Sequence, residues 1–393
     1  MTPNCATLRT VRPIITCALV VLAAAGGCDD GGDATAPAAA TLRLTTWNAG
    51  LADGFVPYTP ERRPLAIAAI AAIDADVVCL QEVWQDADVD AVIDGAAATF
   101  PHTYHVATND DASVGLPPAC TPGEAGPLKV CVEAGCSAAP DLADCALSKC
   151  GPEFQATSLG CQTCMAANIA LTIPEIFQAC ALGSSQFTFA GRNGLILLSR
   201  TPLKQPTMTV LESFLVKRAV ISAQVDTPAG ALPVLCTHLS AGLAQVKYAG
   251  KAASWEAEQA EQVVAVRALV ASVADADGRA VVMGDTNSGP AIAPDIDGEA
   301  EANYVQLVGS DLVDPWVAQA DRTCTWCADN PLTGYPKGGT LIDHVLLRGG
   351  AKLATNATAT RILDGPIEVE HDGAKVTVRL SDHYGVSVTV TLP

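Results

Sequence analysis

Basic residues are scarce in this 393-residue chain: 23 Lys and Arg face 42 Asp and Glu, a formal charge of −19. A surface of that sign repels a phosphate backbone and lacks the basic footprint of a nucleic-acid binder. A divalent cation could still reverse the field at one spot. No apolar run reaches a comfortable membrane span; the longest candidate, PIITCALVVLAAA from Pro13 to Ala25, has the length of a signal-peptide core. No fixed-period repeat is visible, which sets repeat architectures aside. Low-complexity sequence is confined to short stretches, and hydrophobic residues make up 49% of the chain. That supports one large core or two ordinary ones rather than disorder.

The first 28 residues read as a targeting segment. Arg9 and Arg12 precede the apolar run, which ends in AGGC, with Cys28 following small residues. This resembles a bacterial lipoprotein signal with Cys28 as the lipidated residue, although Ala25 stands where Leu is more usual. The alternative is an ordinary secretory signal with Cys28 incidental. Residues 29–40, DDGGDATAPAAA, read as a flexible tether. Either way the expected location is the cell envelope or exterior, with a membrane partner through the anchor.

Cysteine usage agrees. Eight of the 15 cysteines lie between Cys120 and Cys180, and an even, dense cluster in an exported chain reads as a disulfide framework with its pairing open. Cys161 and Cys164 also fit half of a zinc site, but such sites favour reducing compartments and a second close pair. Cys79 and Cys236 sit in strand-like runs and are expected as buried thiols. Cys324 and Cys327 suit a tight local disulfide; no thioredoxin-like context supports a redox centre there.

The segments LRLTTWN (42–48), ADVVCLQEVW (75–84), TYHVAT (103–108), GRNGLILLSR (191–200), AVISAQV (219–225), ALPVLCTHL (231–239), AVVMGD (280–285), LIDHVLLR (341–348) and the last stretch, YGVSVTVTL, read as strands. Helices are expected over 60–74, with Leu65, Ala68, Ala69 and Ala72 at helical spacing, over 86–98, and over 254–272 with Val263, Val266, Leu269 and Val270 inward. Asp372-Gly373 marks a hairpin turn. Residues from about 111 to 186 interrupt this α/β pattern as a stapled helical insertion within a domain spanning 41–393.

Ligand-type residues recur where strands stop: Asn48, Glu82, His238, Asp285, Asn287, Asp343 and the pair Asp382-His383. Each alone suits a solvated loop. Strand ends of packed sheets converge, however, so together they can build one site. Glu82 suits a hard cation, with Asn48 as a neutral oxygen neighbour. His238 and His383 could exchange protons with a phosphate and an attacking water, Asp343 fixing the His383 ring. Asp285 could orient water, and Asn287 could hold a phosphate oxygen.

Six motifs in order, WNAG, CLQEVW, THLSAG, VMGDTNSGP, LIDHVLLR and LSDHYGV, resemble the endonuclease/exonuclease/phosphatase superfamily. The resemblance implies a four-layered α/β sandwich of two packed mixed sheets and hydrolysis of a phosphoester by in-line water attack, dependent on Mg²⁺ with Mn²⁺ or Ca²⁺ as alternatives. It implies Asn48, Glu82 and Asp382 at the metal, and His238, Asp285, Asn287, Asp343 and His383 in catalysis. GRNGLILLSR and the Trp326-to-Leu332 stretch resemble the neutral sphingomyelinase-like branch, with Asn193 implied at the substrate phosphate. Lys217-Arg218 resembles a Lys-Gly segment of that branch, with the Gly absent. Asn193 also stands where DNase I-like members carry a carboxylate, which leaves His238 without its usual partner. No long apolar hairpin for membrane insertion is found. A DNase I-like nuclease, a phosphomonoesterase and an inert binding protein are the alternatives.

Overall fold

The computed structural model describes residues 41–108, 117–183, 187–243, 246–349 and 357–392. The signal, Cys28 and the tether, together with parts of the insertion's margins, lie outside the described residues. In chain order the strands are β1 (Thr41–Leu51), β2 (Val77–Val83), β3 (His102–Tyr104), β4 (Ile196–Ser199), β5 (Leu203–Leu211), β6 (Arg218–Thr227), β7 (Gly230–His238) and β8 (Ala280–Asp285). They continue as β9 (Leu312–Val313), β10 (Trp326–Cys327), β11 (Gly339–Thr340), β12 (Asp343–Arg348), β13 (Ala357–Ile362), β14 (Ile367–His371), β15 (Ala374–Val378) and β16 (Gly385–Thr391). The helices are α1 (Thr59–Ala71), α2 (Asp86–Ala96), α3 (Pro122–Gly135), α4 (Leu142–Lys149), α5 (Gly151–Gln155), α6 (Leu159–Ala167), α7 (Ile173–Leu182), α8 (Trp255–Val273), α9 (Glu301–Val308) and α10 (Pro315–Ala318).

The apolar runs are continuous rather than alternating because the strands are covered on both faces. One six-stranded sheet has the order β13-β16-β1-β2-β4-β3 and the other β5-β6-β7-β8-β12-β9. Each holds a single parallel pair near its middle, β1 with β2 and β7 with β8, and is otherwise antiparallel. Leu44, Val77 and Leu197 from the first sheet meet Ile221, Val234 and Met283 from the second in one shared core. The first sheet's other face packs Trp47, Leu80 and Ile196 against Ala66 and Ile70 of α1 and Val92 of α2. The second sheet's other face packs Leu235 and Val282 against Val263, Val266 and Val270 of α8. Helix, sheet, sheet, helix makes the four layers expected.

Several sequence expectations are corrected. Cys79 on β2 and Cys236 on β7 are not thiols but a disulfide, with Cα atoms 5.3 Å apart. Both side chains point into the inter-sheet core, so the bond joins the two sheets. On α1 the buried apolar face is Ala66 and Ile70, while Leu65 is 41% exposed. β3 ends at Tyr104, earlier than expected. β5 was not expected, because Pro206 and an exposed polar pattern mask it; it is an edge strand whose register shifts between Lys204 and Thr207, where proline is tolerated.

In the insertion, Cys120–Cys161, Cys131–Cys150 and Cys136–Cys145 nest one inside another, and Cys164–Cys180 follows. Cys161 and Cys164 therefore belong to two different disulfides and not to a zinc site. α3 to α7 surround a small core of their own. Cys324–Cys327 forms the local disulfide expected.

Candidate active site

Strand register brings the ligand-type residues together. In the parallel pair β7/β8, His238 sits opposite Asp285. In the antiparallel pair β8/β12, Asp285 sits opposite Asp343. Gly284 lies opposite Thr237, and a Cβ there would stand 2.1 Å from the Thr237 carbonyl oxygen. Only glycine allows β8 to run that close and deliver Asp285. Asn48 near the end of β1, Glu82 on β2 and Asp382-His383 before β16 arrive from the other sheet. Glu82 and Asn287 have φ of 57° and 47°, left-handed conformations that cost a non-glycine residue stability and gather at functional sites.

Asp285 is the hub. Its Oδ1 accepts from the Asn287 backbone N–H at 2.8 Å and its Oδ2 from the Asn48 amide at 3.0 Å. Its Oδ2 also lies 3.3 Å from His238 Nε2 and 3.8 Å from His383 Nε2. Burial opposes its ionisation, but the two histidines and the Asn48 amide hold its pKa below the ordinary carboxylate value. Asp343 Oδ2 lies 2.9 Å from His383 Nδ1, which directs His383 Nε2 toward Asp285 and, at 3.9 Å, Asp382. Burial would lower the His383 pKa; Asp343, Asp382 and Asp285 raise it well above its ordinary value. His238 goes the other way, lowered to about 4 by burial and by Arg218. Its Nε2 is 3.1 Å from the Asn287 side-chain nitrogen, and its buried Nδ1 has no partner. The two imidazoles are thus set apart, one neutral and one charged at neutral pH.

Glu82 and Asp382 face the cavity that His238, Asp285, Asn287 and His383 also line. Burial first, then the Asp382 charge, pushes the Glu82 pKa up to about 7. Two carboxylates lining one cavity are the ligand type a hard divalent cation takes. Asn48 differs from its expected role. Its Oδ1 accepts from the Gly50 N–H at 3.0 Å, which turns its amide nitrogen toward Glu82 and Asp285. It therefore orients carboxylates rather than offering an oxygen. Asp285, Asp343 and His383 also lie within 4.8 Å of one another through ligand-type atoms, but His383 and Asp343 are already engaged with each other.

Asn193 is not part of this site. Its amide donates to the Val106 carbonyl at 2.8 Å and to Thr108 at 3.2 Å, and its oxygen accepts from Leu195 N–H. It lines a separate cavity beside the 105–108 segment. A buried amide satisfied by backbone groups is a loop fastener, and short-motif similarity could not tell that apart from a phosphate contact.

Two arginines were missed. Arg218, at the start of β6, lines the same cavity as His238, Asp285 and His383; its Nε and Nη1 are buried without hydrogen-bond partners. Burial lowers its pKa to about 10, still far above neutrality. The departure from Lys-Gly at 217–218 was the signal, though nothing in the pattern said where the guanidinium pointed. Arg62 is fully buried beneath the site and donates to the carbonyls of Pro57, Gly50 and Leu380, fastening the loops that carry Asn48 and Asp382. Asn330, in the Trp326-to-Leu332 stretch, donates to the Ser381 and Asp382 carbonyls.

Aromatic residues are 5% of the chain, yet Phe55, Trp84, Phe189, Phe214 and Trp255 all line this cavity. Trp84 and Phe189 stack with ring centroids 4.7 Å apart.

A profile of the endonuclease/exonuclease/phosphatase family matches residues 45–383. No curated protein matches the chain significantly by sequence. Among solved structures, sphingomyelinase C from Streptomyces griseocarneus superposes with a TM-score of 0.54 at 17% identity, covering 90% of this chain and 100% of that one. SmcL gives 0.55 at 14% identity, over 90% and 99%. A mutant beta toxin from Staphylococcus aureus with bound magnesium ions gives 0.55 at 13% identity, over 89% and 99%. At these identities the likeness concerns the fold. With the profile spanning most of the chain and the catalytic-type residues gathered at one end of the two sheets, the chain belongs to the endonuclease/exonuclease/phosphatase family and carries its metal-dependent phosphoester hydrolase fold.

Proposed function

We propose that this protein is a Mg²⁺-dependent phosphodiesterase related in substrate to the sphingomyelinases, acting outside the cytoplasm and anchored through Cys28. The observation that carries the reading is the Asp285 hub, where a neutral and a charged histidine meet one ionised carboxylate beside a buried, unpaired arginine. Glu82 and Asp382 are the residues that would hold the ion. A cation bound there supplies Lewis-acid polarisation of the phosphate oxygens.

The chain's own groups do the rest. Arg218 offers its unpaired N–H groups to a phosphate oxygen, which resolves the cost of burying them alone, about 1–3 kcal/mol per group. Asn287, its amide nitrogen donating to the Leu239 carbonyl and lying 3.1 Å from His238 Nε2, holds the His238 ring in place beside the phosphate. Asp285, rigidly held by Asn48 and Asn287, orients a water in line with the scissile bond and accepts its proton as the new P–O bond forms. His238, neutral, takes that proton from Asp285 at Nε2, 3.3 Å away, and yields it to solvent once the product has left the cavity. His383, kept protonated by Asp343, donates from Nε2 to the departing oxygen as its bond to phosphorus breaks.

The test is a substrate panel of sphingomyelin, phosphoinositides, plasmid DNA and a chromogenic phosphodiester at equal enzyme concentration, with Mg²⁺ and with EDTA. Turnover of a phosphodiester lost with EDTA is expected, and sphingomyelin is expected to lead the panel. Asp285→Ala and His383→Ala should each lower kcat/KM by about 10²-fold or more. Full activity in either variant, or in EDTA, overturns the mechanism.

A further inference from the structure

We propose that the disulfide-stapled insertion binds the hydrocarbon chain of the substrate, so that the phosphoester hydrolysed is one carried by a lipid. This rests on the phosphodiesterase reading and names the part of the substrate beyond the phosphate. Between the insertion helices and the loop carrying Phe55 lies a half-open cavity of about 80 Å³ whose every lining side chain is apolar. The cavity is not sealed like an ordinary small core. Leu142, Leu147, Ile169, Ile173 and Phe177 are only partly buried, as is Phe55 opposite them. Apolar side chains facing open space gain stability when hydrocarbon covers them.

The cavity adjoins the catalytic one. Phe55 lines both, and the stretch after β7 borders both, through Leu243 on the catalytic side and Val246 on the apolar side. The insertion is seated directly on the Phe55 loop. Ala143 N–H donates to the Gly54 carbonyl at 3.1 Å, and a Cβ on Gly54 would stand 2.3 Å from the Ile169 carbonyl oxygen. Gly54 also has φ of +83°, so glycine is required for this close approach. A phosphate held at Arg218 therefore has an apolar route past Phe55. The aromatic lining of the catalytic cavity extends that route, and the −19 charge of the chain disfavours a polyanion in the same place.

Monomeric alkyl p-nitrophenyl phosphates, from methyl to octyl, test this with the full-length protein and Mg²⁺. kcat/KM should rise by up to about fourfold per methylene as the cavity fills, then level off. Ala146→Phe, which narrows the cavity, should flatten the series while the methyl compound keeps its rate within about twofold. Should that variant fail to fold, Ala143→Leu serves, and the chain-length series on the unmodified protein decides alone. A flat series overturns the proposal, as does stimulation by phosphatidylcholine vesicles with no dependence on chain length, which would mean surface docking. If no member is turned over, the phosphodiesterase reading fails separately. Calorimetry with octyl phosphate then decides the site: binding lost in Ala146→Phe upholds it, and no binding overturns it.

Discussion

Arg218 and His238 show how a single buried charge sets a neighbour's chemistry. Burial first, then the guanidinium, lowers the His238 pKa, and the ring's other nitrogen has no acceptor to restore a proton. Replacing Arg218 with Met should move the His238 pKa upward from about 4, read by NMR of the ring protons, and lower kcat/KM by about 10²- to 10³-fold through loss of a preorganised donor. Arg218→Lys should recover part of the rate, since a point charge replaces the guanidinium fork. An unchanged rate in both variants would remove Arg218 from the site. Asp285, Asn287, His238 and Glu82 were legible in the sequence because strand ends with polar residues form a recognisable order. The misassignment of Asn193 and the unforeseen aim of Arg218 have one cause. Side-chain direction depends on which loop packs alongside, and 85 or more residues separate Asn193 from Val106 and Thr108, to which its amide donates.

At the scale of elements, β12 carries a third buried histidine, next in sequence to Asp343. His344 Nδ1 is 2.6 Å from Asp314 and Nε2 is 2.9 Å from the Ser288 carbonyl oxygen. Both neighbours accept hydrogen bonds, so the ring is held as an imidazolium. Burial would lower its pKa, but Asp314 and the Ser288 carbonyl raise it above the ordinary 6.5. With the folded-state value raised, the stabilisation is fully present below about pH 6.5 and is lost as pH rises through the folded-state pKa. Thermal melts should show stability declining over that range by at most about 1.4 kcal/mol per pH unit from this group. His344→Gln should remove that component, and an identical pH slope in the variant would sink the assignment. The Cys79–Cys236 bond joins β2 to β7 across 157 residues. Replacing both cysteines with Ala should cost about 2–5 kcal/mol in denaturant unfolding with the fold retained. Sequence periodicity located both strands but could not pair their cysteines, because facing across a sandwich depends on how two sheets stack.

For the whole molecule, charge and compartment belong together. Six disulfides among the described residues require an oxidising environment. Among the described residues no helix is long and apolar enough to cross a membrane. The partly buried Glu82 and Asp382 pair predicts that Mg²⁺ stabilises the fold, by about 2.7 kcal/mol at a hundredfold excess over Kd. Calorimetric scans should show Tm rising with Mg²⁺ and the rise abolished in Glu82→Gln; no Mg²⁺ effect on the unmodified protein would place the ion elsewhere. By itself the sequence determined the strands, the α/β alternation, the family and the polar strand ends, because periodicity and short motifs are local properties of the chain. The tertiary structure decided which of those ends share a carboxylate, which cysteines bond across the sandwich, where Arg218 points and how the insertion opens beside the site. Each of these is a contact between segments far apart in the chain, and their spacing is set by packing of the two sheets rather than by any local pattern.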